Sequence, residues 1–297
     1  EEMAKIAAKE LKIKAEDIVI ASTGLIGAYL PMGKIKNGLK GIKDELATNS
    51  DAAKAIMTTD AVEKKIAVKF DNFTVGGIAK GSGMIHPNMA TMLCFITTDA
   101  KIGSKKLSKF LKNSVNKSFN MMSVDMDTST SDMVVVLANG LAGSVEGKKF
   151  QEALDYVCTG LAKKIAEDGE GATKLIEVEV KNAITKSDAR KLAKSVITSN
   201  LVKCAIFGND PNWGRLMCAI GNSNAEFKEN LVDIYFEKEK IVSNGTASNF
   251  DVEKIRKVMD TDTLKITIDA KQGKEGATAY GCDMTYDYVK INARYST

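Results

Sequence analysis

Thr91 stands at the head of the apolar run TMLCFI, directly behind the glycine-punctuated stretch KGSGMIHPNMA. A hydroxyl is a weak nucleophile until a base takes its proton. The sequence holds a single histidine, His86, which leaves almost no room for a histidine triad or a multi-histidine metal site. Any chemistry therefore falls to Thr, Ser, Lys, Asp or Glu. One route needs no second side chain. If the bond between Ala90 and Thr91 is cut, the new α-amine, with a pKa near ~8, can serve as base for the hydroxyl of the same residue. Ala90 is small and leaves room for a tetrahedral intermediate, and the loop 81–88 could store strain. The competing reading is a threonine that simply opens a strand, a common place for it. His86 reads more readily as a residue that helps hold this turn than as a base.

Four other stretches carry chemical content. STGLIG (22–27) reads as a strand ending in Thr23-Gly24, which can aim a hydroxyl and a backbone N–H at one point, the geometry of an oxyanion hole, or can be a plain turn. DGEGATK (168–174) surrounds Glu170 with glycines, which either bring it close to a ligand or cap the helix before it. FGNDPNWGR (207–215) holds the only Trp and one of three prolines, with Asn212 suited to a helix N-cap. INARYST (291–297) is a polar tail that would ordinarily fray.

These stretches need elements to position them. Strands are expected at 17–22, 65–70 and 73–80 around an Asp71-Asn72 turn, 91–98, 132–138, 174–181, 201–207, 231–236, 240–243, 263–269 and 284–292. Helices are expected at 3–12, in two pieces over 34–59, at 104–121 with Ser104 as N-cap, at 147–168, at 187–199, from Asn212, and at 250–259. Phe150, Leu154, Val157, Leu161 and Ile165 form one stripe of the longest helix, which stops at Gly169. Helices alternating with short strands imply an α/β or layered α+β sandwich rather than a bundle. A change of pattern after the long helix divides the chain into lobes 1–175 and 176–297, the second closing the pocket.

Composition narrows the classes. The 297 residues suffice for one large or two ordinary domains, with 44% hydrophobic and 27% charged residues. Net charge is +4 and no basic stripe with interleaved aromatics appears, which argues against nucleic-acid binding. No apolar run reaches about 18 residues. The five cysteines, an odd number without a CxxC, fit buried thiols in a reducing compartment, so the cytoplasm is expected.

STGLIG, KGSGMIHPNMATML, VDMDTSTSD (124–132), DGEGATK, GNDPNWGR and INARYST, in this order, resemble the arginine-biosynthesis ornithine acetyltransferases, the glutamate N-acetyltransferase family, over essentially the whole chain. Met126 and Met133 depart from the family pattern, away from catalytic positions. The resemblance implies a self-processing enzyme of N-terminal-nucleophile type, cut between Ala90 and Thr91, with Thr91 as nucleophile and Thr23 and Gly24 as oxyanion donors. It implies substrate contacts from Lys80, Thr91, Glu170, Asn292 and Thr297. The implied reaction moves an acetyl group from N2-acetyl-L-ornithine to L-glutamate through an acetyl-threonine. No metal or bound cofactor is implied, and some members also use acetyl-CoA as co-substrate. The cut chains are expected to assemble as a heterotetramer of two α and two β chains. The family carries a further segment ahead of STGLIG that this sequence lacks. The alternatives are a related self-processed amidohydrolase or aminopeptidase, or an inactive fragment.

Overall fold

A computed structural model describes residues 1–46, 51–86 and 92–294. Strands β1 (Lys64–Phe70), β2 (Phe73–Lys80), β3 (Leu93–Thr98) and β5 (Met133–Ala138) form a four-stranded sheet in the order β1-β2-β3-β5. The β1–β2 hairpin turns at Asp71-Asn72 as expected, with Phe70 opposite Phe73 and Asp71 at φ 51. β3 and β5 run parallel, Leu93 beside Met133.

The second sheet has seven strands: β4 (Met122–Ser123), β6 (Leu175–Ala183), β7 (Asp233–Phe236), β8 (Glu239–Ser243), β9 (Thr246–Ala247), β10 (Thr263–Asp269) and β11 (Glu275–Cys282). Their spatial order is β4-β11-β6-β10-β7-β8-β9. The helices are α1 (Glu2–Leu11), α2 (Met32–Gly38), α3 (Ala52–Ala55), α4 (Ser104–Lys117), α5 (Gly147–Glu167), α6 (Lys186–Ile197), α7 (Asn200–Phe207), α8 (Trp213–Gly221), α9 (Val252–Met259) and α10 (Tyr286–Asn292).

The expected apolar stripe decides where α5 sits. It packs on β1 and β2 of the first sheet and on β6 and β11 of the second, so it lies between the two sheets. Phe150, Leu154, Val157, Leu161 and Ile165 are all fully buried, each worth roughly 1.5–3 kcal/mol of transfer free energy. α6 covers the other face of the seven-stranded sheet through Ala189, Leu192, Ala193 and Val196. The layered α/β sandwich is thus the observed architecture.

Several elements differ from expectation. Residues 17–22 form no strand: Ala15–Asp17 is a single 3₁₀ turn, and Val19 and Ile20 stay exposed. β-Propensity makes a strand only where a neighbouring edge completes the ladder, and no described strand offers one. The run 201–207 is helix α7, capped by the Ser199 hydroxyl on the Val202 N–H, because a short apolar run fits either period. The segment 284–292 is helix α10, started by the Thr285 hydroxyl, which accepts from the N–H groups of Asp287 and Tyr288. α4 ends at Lys117, followed by one 3₁₀ turn, and its N-cap is Gly103, with Ser104 the first helical residue. β11 was not anticipated. Asn212 caps α8 as expected, accepting from Arg215 N–H.

Candidate active site

Lys80 ends β2 and pairs in the ladder with Leu93, the first residue of β3. Its side chain is 3% exposed, and no described residue accepts a hydrogen bond from its ammonium. Burial pulls the Lys80 pKa below that of an ordinary lysine and Lys64 adds to the fall, while Asp60, Asp132 and Glu170 oppose it. A buried cation left without a hydrogen-bonding partner is costly, and an anionic ligand would relieve that cost.

Behind Lys80 lies a second buried lysine that is fully partnered. Lys64 Nζ is 2.6 Å from Asp60 Oδ1 and 2.5 Å from Asp168 Oδ2. Burial alone would raise the Asp60 carboxyl, but the Lys64 ammonium and the N–H groups of Gly81 and Thr58 outweigh it and hold it below its ordinary value. This cluster ties the end of α5 to the start of β1 and to the exit of β2.

The turn after β2 is pinned from the opposite side. Asp125 accepts the N–H of Met84 at 2.6 Å and of Ile85 at 2.8 Å, and Ile85 C=O accepts Val124 N–H at 2.7 Å. Those bonds fix Met84 at φ 56. His86 bonds Ser123 Oγ through Nδ1 at 3.0 Å, and its carbonyl accepts from Thr128 Oγ1. Burial, with help from Lys194, lowers the His86 pKa. The ring is thus a tie within the turn.

Glu170 approaches from the C-terminal end of α5. Its N–H donates to Ser82 C=O at 2.9 Å, and its carboxylate lies against Gly83, where a Cβ would fall 2.3 Å from Glu170 Cδ. Gly171 sits at φ +70 beneath α10, where a Cβ would meet Tyr288 N at 2.5 Å. Thr285 Oγ1 donates to Gly171 C=O at 2.6 Å, so the cap of α10 also anchors it here. Docked this way, α10 presents Asn292, whose Nδ2 donates to Glu170 Oε2 at 2.9 Å.

Thr23, Gly24, Lys80, Glu170 and Asn292 all line one cavity of about 360 Å³. Five of the residues singled out from sequence, drawn from four distant stretches, therefore meet. Asn292 reaches the cavity from a helix rather than a strand exit, and Thr23-Gly24 from an unpaired extended segment rather than a strand end. Ala90, Thr91 and Thr297 lie outside the described residues. The next residue, Met92, donates its N–H to Asp132 Oδ1 at 2.8 Å. Sequence reasoning gave no role to Asp125, Asp127, Ser129, Thr130 and Ser131, which also line the cavity, or to Tyr288. The signal was the VDMDTSTSD stretch, five hydroxyls and three carboxylates in nine residues.

A larger cavity of about 530 Å³ opens where α4 and α5 meet β6 and β11. Its acids are already paired: Lys117 with Asp155 at 2.7 Å, and Lys181 with Glu179 at 3.3 Å. It gathers none of the candidate residues. Among the described residues no group of three His, Cys, Asp or Glu side chains could hold a metal ion. What the smaller cavity offers is a buried ammonium and a carboxylate on opposing walls, with a hydroxyl and a backbone N–H between. That set suits a small zwitterion carrying an acyl group.

The model of the ArgJ family matches residues 1–297. The arginine biosynthesis bifunctional protein ArgJ 1 of Clostridium acetobutylicum is 52% identical, over 99% of this chain and 76% of its own. ArgJ of Thermotoga neapolitana is 49% identical, over 99% of this chain and 78% of its own. A crystal structure of ArgJ from Bacillus halodurans matches with a TM-score of 0.65 and 43% identity, covering 67% of this chain and 97% of that one.

Proposed function

The chain belongs to the ArgJ family, and from that premise we propose that it moves an acetyl group from N2-acetyl-L-ornithine to L-glutamate in arginine biosynthesis, as a glutamate N-acetyltransferase. The observation that carries this reading is the convergence of Thr23, Gly24, Lys80, Glu170 and Asn292 on one cavity, one element away from Met92.

The nucleophile in this reading is Thr91, freed by a cut after Ala90. Its hydroxyl attacks the acetyl carbonyl while its own α-amine takes the hydroxyl proton. The Thr23 hydroxyl and Gly24 N–H receive the oxyanion; losing one such donor costs about 2.7–4 kcal/mol of barrier. The proton passes to the departing ornithine nitrogen, which leaves an acetyl ester on Thr91. The glutamate amine then attacks that ester and restores the hydroxyl. Lys80 faces the α-carboxylate common to both amino acids, and Glu170 faces the ornithine ammonium, with Asn292 and Thr297 closing the pocket.

The share of the crystallised relative supports a divided chain. The matched 67% of 297 residues is about 199, close to the 207 residues that follow Ala90 (297 less 90). The five cysteines are free, which suits a cytoplasmic enzyme, and no helix among the described residues is long and apolar enough to cross a membrane. A heterotetramer of two α and two β chains, and acetyl-CoA as an additional acetyl donor, complete the proposal. The word bifunctional in the relatives' names favours the latter.

The test combines two measurements. Denaturing mass spectrometry should find pieces of 90 and 207 residues from the 297 (297 less 90), and a single chain for Thr91→Ala. Transfer from N-acetylornithine to glutamate, assayed with and without acetyl-CoA, should proceed in the wild type and vanish in that variant. Wild-type protein that transfers no acetyl group, or a Thr91→Ala variant that still does, would sink the reading. Release of acetate to water at the same rate would assign the protein to the hydrolases instead.

A further inference from the structure

Asp132 stands immediately before β5, and its position is fixed by the parallel pairing of Leu93 with Met133. Met92 is clamped there by two bonds: its N–H donates to Asp132 Oδ1 at 2.8 Å, and its C=O accepts from Met133 N–H at 3.0 Å. The other carboxylate oxygen, Oδ2, is buried and has no hydrogen-bond partner. Asn120 Oδ1, a second buried acceptor without a donor, lines the same cavity of about 400 Å³ on the α4 side. Buried acceptors are normally satisfied, so this site lacks a donor. The charged groups around Asp132 are Lys80 from β2 and Lys112 from α4.

The missing donor has an evident source. Hydrolysis of the Ala90–Thr91 bond adds water across it, leaving a carboxylate on Ala90 and an ammonium on Thr91. One peptide N–H becomes three. Covalent geometry alone keeps the Thr91 nitrogen about 3 Å from Met92 N and hence within about 6 Å of the Asp132 carboxylate. We propose that Asp132 is a positioning residue which receives the Thr91 α-ammonium after the cut and sets the proton affinity of that amine. The inference rests on the self-cleavage and nucleophile reading above. It explains why a buried carboxylate is kept half-satisfied beside the processing site: its second oxygen is occupied only in the mature enzyme.

Competitive labelling of the new N-terminal amine across pH, read by mass spectrometry on the 207-residue piece (297 less 90), gives the amine pKa directly. Asp132→Asn keeps an oxygen for Met92 N–H and removes the charge, so the amine pKa should fall by about one unit or more, since an opposite charge within ~4–6 Å favours the charged form. The acidic limb of the acetyl-transfer pH profile should move down with it, and Asp132→Glu should restore most of both. An amine pKa unchanged in a cleaved Asp132→Asn protein overturns the inference and leaves the nucleophile reading standing. If Asp132→Asn does not fold, Asp132→Glu decides: an amine pKa and limb at their wild-type values support the role, and a fall equal to full charge loss refutes it. A wild-type chain that is never cut removes both readings together.

Discussion

The side-chain amide of Asn292 donates to the carboxylate of Glu170 at 2.9 Å, across 122 residues of chain. The same amide also donates to Tyr288 C=O, one turn earlier in α10. Asn292 is thereby held by its own helix while it holds Glu170, whose carboxylate faces Lys80 across the cavity. Replacing Asn292 by Ala frees the Glu170 side chain to rotate. Asn292 is exposed, so the bond is worth less than a buried charge-assisted one, about 1 kcal/mol. The expected result is a roughly five-fold loss in kcat/KM for N-acetylornithine, with Tm within 1–2 °C of wild type by about the same reckoning. An unchanged kcat/KM for that substrate would show that Glu170 needs no such orientation.

Lys80→Met tests the buried cation. A charge-assisted contact to a substrate carboxylate contributes about 1.5–3 kcal/mol, so kcat/KM should fall by about 10- to 150-fold for both amino acids. Stability should hold or rise, because the variant removes a buried charge that no described residue hydrogen-bonds. A fall in Tm with kinetics intact would mean that Lys80 balances the Asp60–Lys64–Asp168 cluster instead of meeting substrate.

Two neighbouring glycines should fail differently. In Gly83→Ala the new Cβ collides with the Glu170 carboxylate, the movable end of a side chain. The carboxylate must turn away and lose Asn292, so activity should drop about ten-fold or more with stability nearly unchanged, as for other lost charge-assisted bonds. In Gly171→Ala the Cβ meets backbone atoms of Asp287 and Tyr288, and the residue already sits at φ +70. Neither can yield cheaply, so α10 should undock, with a Tm loss of several degrees, on the order of a 1–2 kcal/mol cost for an L-residue there. Paired kinetic and melting measurements separate the two; equal Tm losses would contradict the assignment.

How far the sequence carries is visible in these same residues. β1, β2, β6, β10, α5 and α6 were legible because their hydrophobic periods of 2 or 3.6 are long and bounded by turn residues. β11 was not, since EGATAYGC carries two glycines; at Gly281 a Cβ would fall 2.9 Å from Ile197 Cβ, so tertiary packing, not propensity, sets that residue. α10 alternates like a strand in sequence and becomes a helix because Thr285 caps it and Gly171 leaves it a seat. The cavity-lining motifs were legible as stretches, yet their meeting was not. Nothing local in Asp60, Lys64 and Asp168, with 104 residues between the last two, announces the ion cluster that joins them.

The last prediction concerns acid–base balance in the uncut chain. Burial raises the Asp132 carboxyl to about 6, against a partial offset from the Met92 amide, the Ser129 hydroxyl and the Lys80 ammonium. Its unfolded value is near ~3.9. Above pH 6 the group is charged in both states, and the folded state carries the full desolvation cost. That cost fades as pH falls toward ~4, where the group is protonated in both states. Two units correspond to at most about 3 kcal/mol. Asp233 has the opposite sign. Burial alone would raise it, but Lys240, Lys271 and the Asn244 N–H hold it well below the usual carboxylate range. Its contribution is present at neutral pH and is lost below about 4. In a Thr91→Ala background, which stays uncut in the reading above, Asp132→Asn should therefore raise Tm at pH 8, and the gain should shrink to nothing by about pH 4. Asp233→Asn should lower Tm at pH 8, with the deficit closing only in stronger acid. Thermal melts of both variants from pH 8 to pH 4 check the signs. A Tm gain for Asp132→Asn that persists unchanged at pH 4 would show that shape, not charge, is what the buried carboxyl costs.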